Sequence, residues 1–428
     1  MGFLKELRSS LENPATPLSF PAEWLLDIFQ GGRTDSGIRV SELTALQVTT
    51  VYACVDIISS NIARLPLNVY EITGDDASRL AREQDLHWLL HSEPNEEMTS
   101  FVFRKAMQCH ALLWSNAYAE VERDAMGRPV ALWPLSPAQT KPRRATEGFS
   151  WTAYNGEFIT VKAGELFYST TEGGTSHFPE RPIHRLDMIH ILGLSLDGRI
   201  GKEVVELSRQ AIGLSLAAEK FGGKFFANGL RPSGVVTLPQ NMKEQAVENF
   251  KRSLQESCGG ENLQRPMVLE EGMTWTQQTT APNDAQFLET RKFQREEHCA
   301  IFHVPPHMVG ESGGTNRSTA EQLGMEFLTY TLSPWLEPWK QEMHRKLFPQ
   351  RGRTANKFYP DFDVEDLMYP DADSRGKYYA TLKQWGIANT DDIRRKLKWN
   401  PVGGKAGQTL WMPVNMMDAD DPMTSSPM

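Results

Sequence analysis

Between residues 200 and 225 the chain places apolar side chains at Ile200, Val204, Leu207, Ala211, Leu214, Ala218, Phe221 and Phe225, spaced four and three residues apart in alternation. That spacing draws one narrow apolar seam along a helix, the pattern of a helix packed lengthwise against others. Gly201, Gly213, Gly222 and Gly223 fall in the same stretch, and each weakens a helix by about 1 kcal/mol relative to alanine. A lone monomer would hold such a helix poorly. The seam of Ile200, Val204, Leu207, Leu214, Phe221 and Phe225 therefore predicts a helix over 200–228 that needs lateral neighbours.

On either side of it the patterning is mixed. Val48, Val51, Val55, Ile58, Ile62 and Leu65 form one stripe on a helix that Pro66 ends, and a strand follows from Leu67 to Ile72. A second helix begins at the N-cap Thr99 and carries Val102, Ala106, Cys109 and Leu113 on one face. Strands at Ala117–Arg123 and Val130–Leu135 flank a turn at Gly127, and Phe149–Tyr154 and Glu157–Val161 flank Asn155-Gly156, a strong hairpin signal. Residues 41–199 read as an α+β domain, behind an arm (1–40) rich in proline and glycine.

After the seam, residues 229–283 form a small α/β insert: a strand at Gly234–Leu238, an amphipathic helix at Met242–Ser257 and a strand at Pro266–Thr276. A charged helix at Asn283–His303 leads into Val304–Ser318, which holds Pro305-Pro306, Gly310, Gly313 and Gly314 and reads as a loop. About fifteen structureless residues inside a domain are uncommon unless functional. A helix over Thr319–Phe348 carries Leu328, Leu332, Trp335, Trp339, Met343 and Leu347 on one side, with a kink predicted at Pro334. Helices at Asp371–Trp385 and Thr390–Lys398 precede a Met-rich, acidic tail (405–428) expected to lack order.

Charge and motif content narrow the function. The net charge of −9 opposes tight non-specific binding to duplex DNA. Cys54, Cys109, Cys258 and Cys299 form no CxxC pair and read as reduced thiols. Met1–Leu7 does not read as a signal peptide, and no run of about 18 apolar residues predicts a membrane span. A phosphate loop is missing: Gly310–Asn316 and Gly403-Gly404-Lys405-Ala406 lack the lysine or the hydroxyl that nucleotide binding needs. His298, His303 and His307 near Cys299, and His184, Asp187 and His190, are the metal-ligand candidates, but neither group has the His-Glu-x-x-His spacing. The dense basic clusters, Lys141 with Arg143-Arg144 and Arg394-Arg395-Lys396 with Lys398 beside Trp399, read as solvated faces, and Trp335 and Trp339 as core. No catalytic residue, metal or cofactor is expected. The alternative readings are a metal-dependent hydrolase or a DNA-binding protein of a prophage.

Several segments, taken together, resemble the portal, or head-tail connector, family of long-tailed phages. They are Thr44–Tyr70 with Ala53-Cys54-Val55 and Leu65-Pro66-Leu67, then Ile189-His190-Ile191, Asp197-Gly198-Arg199-Ile200-Gly201, Phe302-His303-Val304-Pro305 with Gly310, Glu321-Gln322, and Gly386–Arg394 with Pro401 and Gly403-Gly404. They run in family order from about residue 41 to 404. Two places differ from the family's habit: Lys202-Glu203 stands where Ser-Pro commonly follows Gly201, and Asp391-Asp392 where Asn-Glu is usual. Acidic residues suit a helix N-terminus in either place.

The resemblance implies a portal-protein fold: a wing (41–199, with a return in 319–370 after a kinked helix), stem helices (200–228 and 284–303), a clip (229–283), a tunnel loop (304–318) and a helical crown (371–404). It also implies rings of about twelve subunits around a channel for double-stranded DNA. Lys243, Glu244 and Lys251 in the clip would dock the terminase large subunit. Met308, Val309, Gly310, Glu311, Gly313, Gly314 and Arg317 would line the tunnel. Further partners implied are the major capsid and scaffold proteins and a head-tail adaptor, in a virion assembled in the host cytoplasm.

Overall fold

In the computed structural model, residues 34–74, 77–152, 156, 158–172, 180–227, 234–237, 248, 274–277, 284–310, 317–348, 357–368 and 372–411 are described. The chain divides into two units, one of residues up to 313 with 330–362, the other of 314–329 and 363 onward. Both mix or contain helices as the α+β reading expects, with strands confined to the first among the described residues.

The first unit opens with a short helix α1 (Glu42–Ala45) capped by Ser41, then α2 (Thr49–Arg64). All six residues of the predicted α2 stripe are buried. Next come β1 (Leu67–Ile72), β2 (Ser78–Leu80), α3 (Asp85–His91) and α4 (Ser100–Trp114), whose N-cap Thr99 accepts from the Val102 N–H as predicted. The buried face of α4 differs from the sequence reading. Val102 is half exposed, while Phe103, Arg104, Met107, Gln108, Ala111 and Leu112 face inward with Leu113.

Two polar residues turn α4 this way. Trp339 donates its indole N–H to Gln108 Oε1 at 2.9 Å and meets Phe103 edge-on. Arg104, 4% exposed, donates to the carbonyls of Leu90 and Ala63 at 3.0 and 2.8 Å and to Ser100 Oγ at 3.0 Å. It thus closes the ends of α2 and α3 around α4, and burial lowers its pKa to about 10. Arg104→Ala strands those two carbonyls in the core, and a loss of about 3 kcal/mol is expected. A drop in the urea midpoint reads it, and an unchanged midpoint would contradict this role.

The strands follow as β3 (Asn116–Arg123), β4 (Pro129–Leu135), β5 (Thr140–Arg144), β6 (Phe149–Thr152), β7 (Phe158–Val161), β8 (Leu166–Thr170), β9 (Arg181–His184) and β10 (Met188–Leu192). They make antiparallel sheets ordered β10-β3-β4, β5-β8-β9 and β6-β7. The predicted hairpin is present, pairing Phe149 with Val161 through Thr152 with Phe158; its Asn155 lies outside the described residues.

Helices α5 (Val204–Leu207), α6 (Arg209–Ala227) and α7 (Asp284–Ile301) come next, with β11 (Gly234–Thr237) and β12 (Thr274–Gln277) paired antiparallel between α6 and α7 in the chain. The predicted insert helix Met242–Ser257 lies outside the described residues apart from Glu248. After α8 (Arg317–Glu326) the chain widens into a π turn, Phe327–Leu332, before α9 (Ser333–Leu347). The irregularity therefore precedes Pro334, which sits in the first turn of α9, instead of bending the helix at that residue. Pro334 offers no N–H to the preceding turn, and the wider winding upstream absorbs the loss. Leu332, Trp339, Met343 and Leu347 are buried as predicted, and Trp335 is half-buried. Strand β13 (Phe358–Phe362) then returns to β1, pairing Phe362 with Leu67.

The second unit holds α8, α10 (Glu365–Met368), α11 (Ala372–Gln384), α12 (Thr390–Lys396) and α13 (Gly404–Gln408). Tyr379 donates to Glu365 Oε1 at 2.8 Å, and Lys396 pairs with the same carboxylate. The start of α12 explains its two aspartates. Asp392 closes a capping box with Asn389, while the buried Asp391 accepts from the N–H groups of Val402 and Gly403 at 2.7 and 3.0 Å. The tail expected to lack order begins inside α13, and residues from 412 lie outside the described set.

Candidate functional site

The predicted helix over 200–228 is two pieces. Ile200 precedes it in a loop, where its carbonyl accepts from Ser195 Oγ at 2.7 Å and Asp197 Oδ1 accepts from the Ile200 N–H at 3.0 Å. Gly201 does not open a helix either. A Cβ there would stand 2.0 Å from the carbonyl oxygen of Ser115, so only glycine allows this loop to lie against the end of α4. Asn116 grips the Gly201 backbone from both sides, accepting from its N–H at 2.8 Å and donating to its carbonyl at 3.2 Å.

Beyond that anchor the helices divide their faces. Val205, Ile212 and Ser215 turn inward, and α6 packs on α7. There the buried His298 Nε2 lies 2.8 Å from Ser215 Oγ, and burial lowers the His298 pKa to about 4, so the ring is neutral at pH 7. Leu207, Leu214 and Phe221 turn outward, 65%, 52% and 53% exposed, at seven-residue intervals. Of the other predicted seam residues, Val204 is half-buried, Ile200 is exposed, and the Phe225 side chain lies outside the described residues.

The predicted loop over 304–318 begins as ordered backbone. Val304 is buried and donates its N–H to the Cys299 carbonyl at 2.9 Å, and Pro306–Val309 form a 3-10 turn capped by Gly310 at φ 100°. That positive φ is the reason a glycine stands there. Met308 and Val309 are half-buried members of this turn and not a free apolar tip. The backbone resumes as helix at Arg317. Glu311, Gly313, Gly314 and the Arg317 side chain lie outside the described residues, as do Lys243, Glu244 and Lys251.

The metal-ligand candidates occupy other roles. His190 is buried between Asn116 Oδ1 at 3.1 Å and Tyr168 OH at 3.3 Å, with burial lowering its pKa to about 3. Asp187 pairs with Arg123 at 2.6 Å. No group of three or more His, Cys, Asp or Glu is arranged to hold a metal among the described residues. The basic clusters are engaged as well: Arg143 pairs with Glu180, Arg395 with Asp392, and Arg394 stacks over Trp399. Sequence reasoning missed the approach of Cys54 on α2 to Cys299 on α7, where burial and the second thiol together push the Cys54 pKa up; no local signal marks a contact so distant in the chain.

An α+β body bearing a paired-helix unit with an outward apolar stripe has the build of a structural subunit made for contact with other proteins. The chain belongs to the phage portal protein family, whose profile, described as "Phage portal protein", matches residues 49–397. It is 29% identical over 378 residues to the portal protein of Enterobacteria phage HK97, covering 86% of this chain and 82% of that protein. To the probable portal protein of Streptomyces phage phiC31 it is 29% identical over 398 residues, covering 90% and 82%.

The fold also matches a chain from the neck of an empty GTA particle computed with C6 symmetry, with a TM-score of 0.56 at 20% identity over 87% of this chain and 97% of that one. An HK97 family phage portal protein from Corynebacterium diphtheriae matches with a TM-score of 0.53 at 11% identity, over 76% and 96%. This chain is thus a portal protein of a phage or phage-like particle. No helix among its described residues is long and apolar enough to cross a membrane.

Proposed function

We propose that this chain assembles into a ring of twelve subunits around a channel through which double-stranded DNA is packaged and ejected, with no enzymatic step of its own. The outward stripe of Leu207, Leu214 and Phe221 carries the reading. Each subunit buries one face of α6 on α7 and leaves a second apolar face for a neighbour, and repeated around a closed ring no such face stays wet. In this reading α6 and α7 are the stem, residues 229–283 the clip facing the terminase large subunit, 304–318 the tunnel loop, and 371–404 the crown. Capsid, scaffold and adaptor proteins meet the remaining surfaces, and assembly takes place in the host cytoplasm.

Charge supports passage over grip. With −9 on each subunit, the ring's total is strongly negative and duplex is repelled from many sides. Weak duplex binding at physiological salt is the expected result of a filter-binding titration; nanomolar affinity with a steep salt slope would contradict it. Docking is tested separately. Replacing Lys243, Glu244 and Lys251 with alanine is expected to leave rings intact and to weaken pull-down of the terminase large subunit. Undiminished pull-down would place docking elsewhere.

A further inference from the structure

A groove of about 650 Å³ lies between α3, the segment that follows it and the β3–β4 hairpin. Its floor is apolar, formed by Leu89 and Ala131, both buried, with Pro129. Trp88 and Val130 stand in it 60% and 49% exposed, and Trp133 is half-buried with its indole N–H donated to Glu122 Oε2 at 2.7 Å. The walls are tied to each other by hydrogen bonds. Asn95 donates to the Leu132 carbonyl at 2.7 Å, and the Leu132 N–H donates to the Pro94 carbonyl at 2.7 Å. The groove is therefore preformed, and binding there costs little ordering of the protein.

Its rim is one-sided in charge. Asp85, Glu93, Glu96, Glu122 and Asp124 line it against a single cation, Arg128, which is paired with Asp124. Asp85, Glu93 and Glu96 have no cation within ion-pair distance among the described residues. Exposed tryptophan faces flanked by free carboxylates are complementary to lysine or arginine side chains, which gain both cation–π and ionic contact. Nucleic acid is disfavoured, since phosphates would meet five carboxylates and one cation, Arg128, already paired with Asp124. We propose that this groove docks a basic peptide segment of a partner protein, with an aliphatic side chain seated on Leu89 and Ala131 and flanking lysines or arginines against Trp88 and the Glu93–Glu96 rim.

The test uses the full chain and a fluorescein-labelled nine-residue peptide of alternating lysine and leucine, followed by anisotropy. Binding that weakens with salt is expected for the unchanged protein. The double variant E93K/E96K should lose at least about ten-fold in affinity, and Trp88→Ala a comparable factor, as expected for anchor positions. The control E147K/E326K changes the net charge equally at two exposed carboxylates outside the groove, and it should retain affinity. All four substituted carboxylates are exposed, so the double variants keep the fold, which circular dichroism checks. Equal losses in both double variants would mean general attraction of a basic peptide to an acidic protein and would overturn the site, as would no binding by the unchanged chain.

Discussion

Replacing Leu207 and Leu214 with aspartate is expected to reduce the purified protein from rings to monomers of 48.4 kDa. Both side chains are more than half exposed in the subunit, so in isolation the substitution changes stability by no more than about 0.5 kcal/mol. In the proposed ring a neighbour would cover the same positions, and each aspartate would become a buried charge without a partner. That penalty runs to several kcal/mol per group even after partial relaxation, and it recurs at every interface of a closed ring. Light scattering gives the mass and circular dichroism the fold. A folded variant that still sediments as a ring would show that the stripe is not the lateral contact.

Deleting residues 310–314 is expected to leave rings and proheads normal but to abolish particles that hold a full-length genome. The deletion removes Gly310, whose N–H closes the Pro306–Val309 turn on the Pro306 carbonyl, and leaves the buried Val304 before it in place. A passive linker would tolerate such shortening, because loop-closure entropy changes slowly with length. Filled, infectious particles at unchanged yield would therefore show that the segment only connects α7 to α8 and would remove its role in the channel.

How much of this was legible in the sequence varies with the range of the interaction. The α2 stripe was read correctly at every position because apolar periodicity alone decides that helix, and the Thr99 cap because its signal is local. The face of α4 was misread by a rotation. Arg104 and Gln108 point inward, and what makes this tolerable is a pair of carbonyls at Ala63 and Leu90 and the Trp339 indole, 231 residues from Gln108. Hydrophobic spacing cannot reveal a buried polar group whose partners come from other elements.

The candidate site shows the same division. The seven-residue recurrence of Leu207, Leu214 and Phe221 marks a stripe whose three side chains are each more than half exposed in the subunit. Ile200 was drawn into that seam by spacing alone, but Asp197 and Asn116 capture the backbone around it and start the helix later. Met308 and Val309 looked like a loop tip because proline and glycine flank them. Proline in the first turn of a 3-10 segment and glycine at its end are equally the signs of a short, closed turn, and the structure chooses that meaning. The acidic tryptophan groove left no sequence signal, since Trp88, Glu93 and Trp133 are gathered only when α3 meets the β3–β4 hairpin.

Negative-stain imaging of the purified, full-length chain tests the ring most directly. Closed rings of twelve subunits with a central hole wide enough for duplex DNA are the expected result, while compact 48.4 kDa monomers at every concentration examined would contradict a channel-forming subunit.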